Sequence, residues 1–103
     1  MPPDLETLRG AFHAHEYLLT EHASERAAQR GILAAEIEQA IETGEVIEDY
    51  PEDKYGPSCL IYGRLSGRRD LHVQVSYPAP YRVITVYEPN PDEWESGRTR
   101  ISR

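Results

Sequence analysis

Residues 70–87 read DLHVQVSYPAPYRVITVY, and this stretch decides the predicted fold. Along Asp70–Tyr77 apolar and polar side chains alternate, which is the pattern of a strand with one buried and one open face. Leu71 and Val73 lie on one face of that strand, and His72 lies on the other. A Pro-Ala-Pro turn ends the pattern, and the β-branched segment Tyr81–Tyr87 follows it. The stretch therefore predicts two strands joined by a turn.

Two further strands are predicted upstream of this pair. Glu45–Tyr50 is a candidate strand that ends at Pro51, and Ser58–Leu65 is a second one after a polar turn. Ser66-Gly67 and the two arginines that follow predict a tight turn into the next strand. Consecutive strands with short connections predict a mainly antiparallel sheet of four strands.

The preceding part of the chain carries helical signals instead. Asp4–Glu16 has apolar residues three and four positions apart, which predicts a short amphipathic helix. Thr20 is a suitable N-cap for a second helix that ends at Gly31, and a third helix is predicted over Ala34–Thr43, closed by Gly44. Helices followed by strands predict an α+β fold. We expect two or three N-terminal helices packed on a small, mainly antiparallel four-stranded sheet, in one domain over residues 1–103.

Composition narrows the functional classes. The chain has 11 Lys/Arg and 18 Asp/Glu, a net charge of −7, which weakens non-specific binding to nucleic acid. Residues 1–60 carry 4 basic and 13 acidic side chains, and residues 61–103 carry 7 and 5. The second part has the composition for a local basic face, whereas the acidic first part is typical of a solvated helical surface. The lone Cys59 excludes an intramolecular disulfide and a multi-cysteine zinc site. No secretory signal or membrane span is recognised, so a cytoplasmic protein is expected.

The most informative polar set is His22, Arg26 and Arg30. Spacings of four residues place the three side chains along one stripe of a helix. A histidine beside two guanidinium groups can hold an anion, or can combine proton transfer with phosphate stabilisation. In the alternative interpretation the arginines pair with carboxylates of the third helix, such as Glu38 or Glu42, and His22 only caps or packs.

A second candidate is His72, which is predicted to lie on the sheet face away from the helices or at a groove along its edge. The alternative is an exposed histidine without a function. Arg64, Arg68, Arg69 and Arg82 would give this region a positive field, so they are candidate RNA-binding residues. Aromatic residues that can stack on bases are also predicted on these strands: Tyr62, Tyr77, Tyr81 and Tyr87.

Other kinds of site have weaker support. His13 and His15 are two positions apart on a predicted helix, so their side chains point in different directions. There is no glycine-rich phosphate loop and no nucleophile elbow, and Cys59 lies inside an apolar strand. We therefore predict neither a metal site nor a cofactor.

Several segments together resemble domain-of-unknown-function family 4258 (DUF4258). They are YLLTEHASERAAQRGI, IEQAIETGEVIEDYP, GPSCLIYG, LHVQV and VITVYEPNPDEW, which span residues 17–94. The combination of H-A-x-x-R-x-x-x-R-G-I with GEVIEDYP and T-V-Y-E-P is specific, although none of these pieces suffices alone. The family is usually grouped by fold with the RelE/ParE-like toxins, and its members often lie beside a small antitoxin-like gene.

The resemblance implies a RelE-like fold and a toxin that acts as a metal-independent endoribonuclease. Its partners would be a cognate antitoxin protein and RNA or the ribosome. The recurring polar positions of the family fall at His22, Arg26, Arg30, His72 and Tyr87. One of the histidines would act as base or acid, the arginines would stabilise the phosphate, and Tyr87 would orient it or stack on a base.

The net charge departs from the family analogy, because RelE-like ribonucleases are typically basic. This supports a rival hypothesis, in which the chain is a non-catalytic protein-binding module. Its acidic helices or an exposed sheet edge would then engage a partner protein.

Overall fold

The computed structural model describes residues 3–54, 56–66 and 69–101. Three helices and seven strands follow one another along these residues. In chain order they are α1 (Leu5–His13), β1 (Tyr17–Leu19), α2 (Glu21–Arg30), α3 (Ala34–Thr43), β2 (Glu45–Tyr50), β3 (Ser58–Arg64), β4 (Asp70–Ser76), β5 (Tyr81–Tyr87), β6 (Trp94–Glu95) and β7 (Thr99–Arg100).

Local signals set the ends of the helices. Asp4 accepts a hydrogen bond from the backbone N–H of Thr7 at the start of α1, and Thr20 accepts one from Ala23 at the start of α2. These bonds satisfy N–H groups that have no partner within the helix. Gly31 ends α2 with a φ of 63°, the left-handed conformation that glycine adopts without strain.

The main sheet has five strands in the order β1-β5-β4-β3-β2. The pairs β2–β3, β3–β4 and β4–β5 are antiparallel, and β1 pairs with β5 in parallel at one edge. The last two strands, β6 and β7, form a separate two-stranded antiparallel sheet.

The predicted four-stranded, mainly antiparallel RelE-like sheet is therefore wrong, although the chain is α+β. The missing edge strand is Tyr17–Leu19, which lies between two helices and has only three residues, too few to show an alternating pattern. The predicted first helix also ends earlier, at His13 instead of Glu16. The sheet is mixed and is not a simple antiparallel meander, because Tyr17–Leu19 pairs in parallel with β5.

The core lies between the helices and one face of the sheet. It contains Leu8 and Phe12 of α1, the alanines of α2, and isoleucines of α3 packed on apolar residues of the strands. The opposite face is also closed, because the small sheet β6–β7 covers it and buries Trp94 to 3 % exposure. Within the described ranges, no helix is both long and apolar enough to span a membrane.

Candidate functional site

A single groove brings together four of the five residues predicted as catalytic. It is open to solvent, has a volume of about 400 Å³, and lies between α2, the end of β5 and the turn that leads into β6. That volume falls within the range of small-ligand sites. We call it the arginine groove. It is lined by His22, Arg26, Arg30, Thr85, Tyr87, Glu88, Asn90, Glu93 and Trp94.

The α2 side of the groove carries the predicted stripe. Ala23 and Ala27 of α2 are buried against the sheet, so the neighbouring positions at 22, 26 and 30 point along the rim of the helix. His22 and Arg30 are exposed and Arg26 is half-buried. The only hydrogen bond from the Arg26 side chain within the described residues goes to Gln29, at 3.4 Å.

These two arginines are not neutralised by α3. Among the described residues, neither Arg26 nor Arg30 forms an ion pair. Glu38, one of the carboxylates considered as a partner, instead accepts hydrogen bonds from His15 and Tyr17. The stripe therefore presents two guanidinium groups whose donors remain available to a ligand.

The β5 side of the groove is formed by Tyr87, whose hydroxyl lies 3.2 Å from Nδ1 of His72. The other ring nitrogen of His72, Nε2, lies 2.5 Å from the carbonyl oxygen of Gly97. A carbonyl only accepts, so Nε2 carries the proton and Nδ1 accepts from the Tyr87 hydroxyl. The phenol therefore directs its proton away from the groove and leaves its oxygen lone pairs as acceptors there.

His72 lies behind Tyr87 and does not reach solvent. Its face was predicted correctly, but the alternative of an exposed, idle histidine is wrong, because its exposure is 0 %. Burial lowers the pKa of His72, although the hydrogen bond to Gly97 and the carboxylates of Glu48 and Asp70 oppose that effect. Burial also raises the pKa of Tyr87. Both groups are therefore neutral near pH 7.

Acidic side chains complete the groove, and they differ in their pairing. Glu88 accepts from Arg69 Nε at 2.7 Å, so its charge is balanced. The carboxylate of Glu93 makes no hydrogen bond or ion pair with the described residues, and it faces the same space as Arg26 and Arg30. An unpaired carboxylate in this position opposes an anionic ligand.

Arg69 itself has a structural place. Besides Glu88 it pairs with Glu36 at 3.1 Å, and it donates to the carbonyl oxygens of Arg30 and Gly31 at the end of α2. We call this set of contacts the Arg69 junction. It joins α2, α3 and the segments beside the groove, and it uses donors on all three guanidinium nitrogens.

The other predicted RNA-binding arginines lie outside the groove. Arg64 is exposed and has Asp70 as its nearest carboxylate, at 3.9 Å. Arg82 is exposed on β5. Arg68 falls outside the described residues.

A larger groove, of about 520 Å³, lies between α1 and α3, but its polar groups are mostly engaged. Arg9 donates to the carbonyl oxygens of Ile41 and Gly44. Glu38 accepts from the Tyr17 hydroxyl at 2.5 Å and binds His15 at 3.0 Å. The Tyr17 hydrogen bond holds the pKa of Glu38 below its usual range. This groove is therefore a weaker candidate despite its size.

Sequence reasoning did not predict the far wall of the arginine groove. Thr85, Asn90 and Glu93 are spread over a strand and a proline-rich turn, and no spacing rule connects them with α2. Among the sequence features, only the segment TVYEPN, which is part of the family resemblance, pointed to this region. Within the described ranges, no three His, Cys, Asp or Glu side chains are arranged to hold a metal ion.

The chain belongs to a family of domains of unknown function. The sequence model of that family, described as "Domain of unknown function (DUF4258)", matches residues 19–88, more than half of the chain. No curated protein and no solved structure matches it. The RelE/ParE-like grouping that the resemblance implied therefore receives no support here. The matched range contains α2, α3 and β2–β5, and it ends before Asn90 and Glu93 of the groove.

Proposed function

We propose that this protein is a metal-independent endoribonuclease of the toxin type and that the arginine groove is its active site. The observation that supports this most strongly is the co-location of available guanidinium groups with two kinds of proton-transfer group. Arg26 and Arg30 have no carboxylate partner among the described residues. His22 and Tyr87 line the same groove, and His72 Nδ1 accepts a hydrogen bond from the Tyr87 hydroxyl.

Cleavage of RNA without a metal needs three functions. A base takes the proton of the ribose 2′-hydroxyl, cations stabilise the crowded phosphate, and an acid protonates the leaving 5′-oxygen. In our proposal the two arginines bind the phosphate oxygens, because a guanidinium group presents a planar pair of donors. The reaction forms the bond from the 2′-oxygen to phosphorus and breaks the bond from phosphorus to the 5′-oxygen.

Tyr87 and His72 together supply the base in this proposal. The Tyr87 oxygen accepts the 2′-hydroxyl proton while its own proton passes to Nδ1 of His72, across the 3.2 Å hydrogen bond. His22, exposed on α2, supplies the proton for the leaving oxygen, since an imidazolium can act as a general acid. Solvent then restores both protonation states.

The direct test uses purified protein in EDTA and a single-stranded RNA oligonucleotide. We expect products that end in a 2′,3′-cyclic phosphate and a 5′-hydroxyl, and no cleavage of the all-2′-deoxy oligonucleotide of the same sequence. If both naked and ribosome-bound RNA remain uncut by the wild-type protein, the proposal is wrong. The toxin role is tested separately, by growth after expression with and without the neighbouring gene.

One observation favours the rival function of a non-catalytic protein-binding module. Leu18 on the edge strand β1 is 59 % exposed, and one side of β1 has no neighbouring strand in the main sheet. An apolar edge of this kind can accept a strand from a partner protein. In that case Leu18→Glu should abolish capture of the partner, and the wild type should not cut RNA.

A further inference from the structure

Three aromatic side chains form a row across the face of the sheet that turns away from the helices. Tyr62 on β3, His72 on β4 and Tyr87 on β5 are direct register partners. Their ring centroids are 5.9 Å and 5.2 Å apart. We call these three residues the aromatic row. Tyr87 belongs to both the row and the arginine groove, so the two features are continuous.

The C-terminal strap, Asn90–Ile101, covers this row. The Trp94 ring contacts His72 with centroids 4.4 Å apart. Gly97 has a φ of 74°, and a Cβ at this position would come within 2.7 Å of the Tyr62 ring. The strap therefore lies directly on the row, and it needs glycine there both for its backbone conformation and for its close approach.

Side chains, and not a shared sheet, hold the strap in place. The strap's backbone–backbone hydrogen bonds within the described residues stay inside it, as in Trp94 to Asn90 and Ile101 to Glu93. It is fixed to the sheet by Trp94, by the bond from His72 to the Gly97 carbonyl, by the exposed pair Arg98–Glu45 and by the pair of Arg100 with the half-buried Glu48. Exposed ion pairs contribute little to stability, so displacement of the strap breaks mainly the Trp94 packing, the His72–Gly97 bond and the contact of the Arg98 guanidinium with the Tyr62 ring.

The strap lies outside the range that the family model matches. The family match ends at residue 88, whereas all three positions of the aromatic row lie inside it. The domain shared by the family thus presents the row, and the cover belongs to the part of this chain that lies beyond the match.

We propose that the aromatic row is a binding site for the bases of single-stranded RNA, and that Trp94 occupies this site until RNA displaces the strap. The inference rests on the proposed function, since the same RNA strand would place its phosphate between Arg26 and Arg30. Aromatic side chains beside cationic groups on an open sheet are the arrangement on which unpaired bases stack. Departure of the strap also removes the unpaired Glu93 carboxylate from the groove, which strengthens the attraction for phosphate.

Trp94 is the only tryptophan of the chain and therefore reports on the strap in the unmodified protein. The probe is a single-stranded 2′-O-methyl oligonucleotide, which binds but has no 2′-hydroxyl to react. At saturation we expect the Trp94 emission to shift to longer wavelength and its quenching by acrylamide to increase. The same sequence as a duplex should produce neither change, because its bases are not free to stack.

Two variants with matched controls test the site itself. Tyr62→Leu should weaken binding of the oligonucleotide roughly ten-fold, as expected for loss of one stacked base, while Tyr17→Leu, beside α1, should not. Gly97→Ala should shift the Trp94 emission without any RNA and should raise RNA affinity. Its control is Gly10→Ala, where the added Cβ meets no atom within 4 Å.

The possible results separate this inference from the proposed function. If the wild type binds or cleaves RNA while Trp94 emission and quenching stay unchanged, the strap does not move and the inference is wrong, although the groove remains an active site. If the protein neither binds nor cleaves RNA, the proposed function is wrong and the inference is overturned with it. A shift in Trp94 emission caused only by a protein partner would also overturn the assignment to RNA.

Discussion

The arginine groove and the Arg69 junction are neighbours, and both are built around guanidinium groups, but these groups have different surroundings. Arg69 contacts two carboxylates and two backbone carbonyls. Arg26 and Arg30 contact no carboxylate among the described residues. All three side chains are positively charged, so charge alone does not separate the two roles. An arginine that stabilises the fold has its N–H donors paired with carboxylates and carbonyls, whereas one available to a ligand does not.

The largest expected effect is on the groove. Replacing Arg26 and Arg30 together with lysine keeps the charge but removes the planar pair of donors. We expect the RNA-cleavage rate to fall about a hundred-fold or more, while the free energy of unfolding changes by less than about 0.5 kcal/mol. Cleavage assays and urea denaturation measure the two quantities. A double variant that retains full activity would show that the groove does not use these donors.

The opposite pattern is expected at the junction. Arg69→Gln removes the guanidinium partner of Glu36, Glu88 and the carbonyl oxygens at the end of α2, so the free energy of unfolding should fall by about 2 kcal/mol. Arg64→Gln is the matched control, because its nearest carboxylate is 3.9 Å away, and its effect should stay within about 0.5 kcal/mol. Equal effects of the two substitutions in urea denaturation would contradict the structural role of Arg69.

His72 lies buried behind the groove, and its burial predicts a dependence of stability on pH. Because burial lowers the pKa of His72 in the folded state, the unfolded chain binds its proton at higher pH than the folded chain does. His72 therefore contributes stability above its unfolded pKa of about 6.5, and this contribution is lost as the pH falls. The loss begins as the pH falls below about 6.5, with a slope of at most about 1.4 kcal/mol per pH unit.

Urea denaturation of the wild type and of His72→Gln over this range measures the contribution. The slope of stability against pH should be steeper in the wild type. Carboxylates with lowered pKa values, such as that of Glu38, lose their contribution only at pH values below about 4.5, outside this window. Identical slopes in the two proteins would show that His72 is protonated equally easily in the folded and unfolded states.

The smallest expected effect is on salt dependence. Each phosphate contact made to a single strand contributes about 0.7 to the slope of log affinity against log salt concentration. Arg26→Gln or Arg30→Gln should each reduce the slope for a 2′-O-methyl oligonucleotide by about this amount, whereas Arg69→Gln should leave it unchanged. A reduced slope in Arg69→Gln would place Arg69 at the RNA and remove the distinction between groove and junction.

Much of the fold was predictable because its signals are local. Thr20 and Gly31 mark the ends of α2, and the β-branched segment Tyr81–Tyr87 is found as a strand with the predicted bounds. The edge strand β1 was not predicted, because three residues carry no periodicity and their partner is β5, more than 60 positions along the chain. The small sheet β6–β7 was missed for the same reason, since each of its strands has two residues.

The site was predictable to a similar extent. A spacing of four residues placed His22, Arg26 and Arg30 on one stripe, and the resemblance added Tyr87. The alternating pattern predicted the face on which His72 lies but not its burial. The strap buries this side chain, and a local pattern around His72 does not predict where the strap packs. The ion pairs of Arg69 were not predicted either, because Glu36 and Glu88 are both far from Arg69 in the sequence.

The most direct test of the comparison observes the arginine side chains themselves. In ¹⁵N-labelled protein, the Nε–Hε signals of Arg26, Arg30 and Arg69 can be followed by NMR as a single-stranded 2′-O-methyl oligonucleotide is added. We predict that the signals of Arg26 and Arg30 shift and gain protection from solvent exchange at saturation, while that of Arg69 stays in place. If only the Arg69 signal moves, or if none of the three responds while RNA binds elsewhere, the arginine groove is not the RNA site.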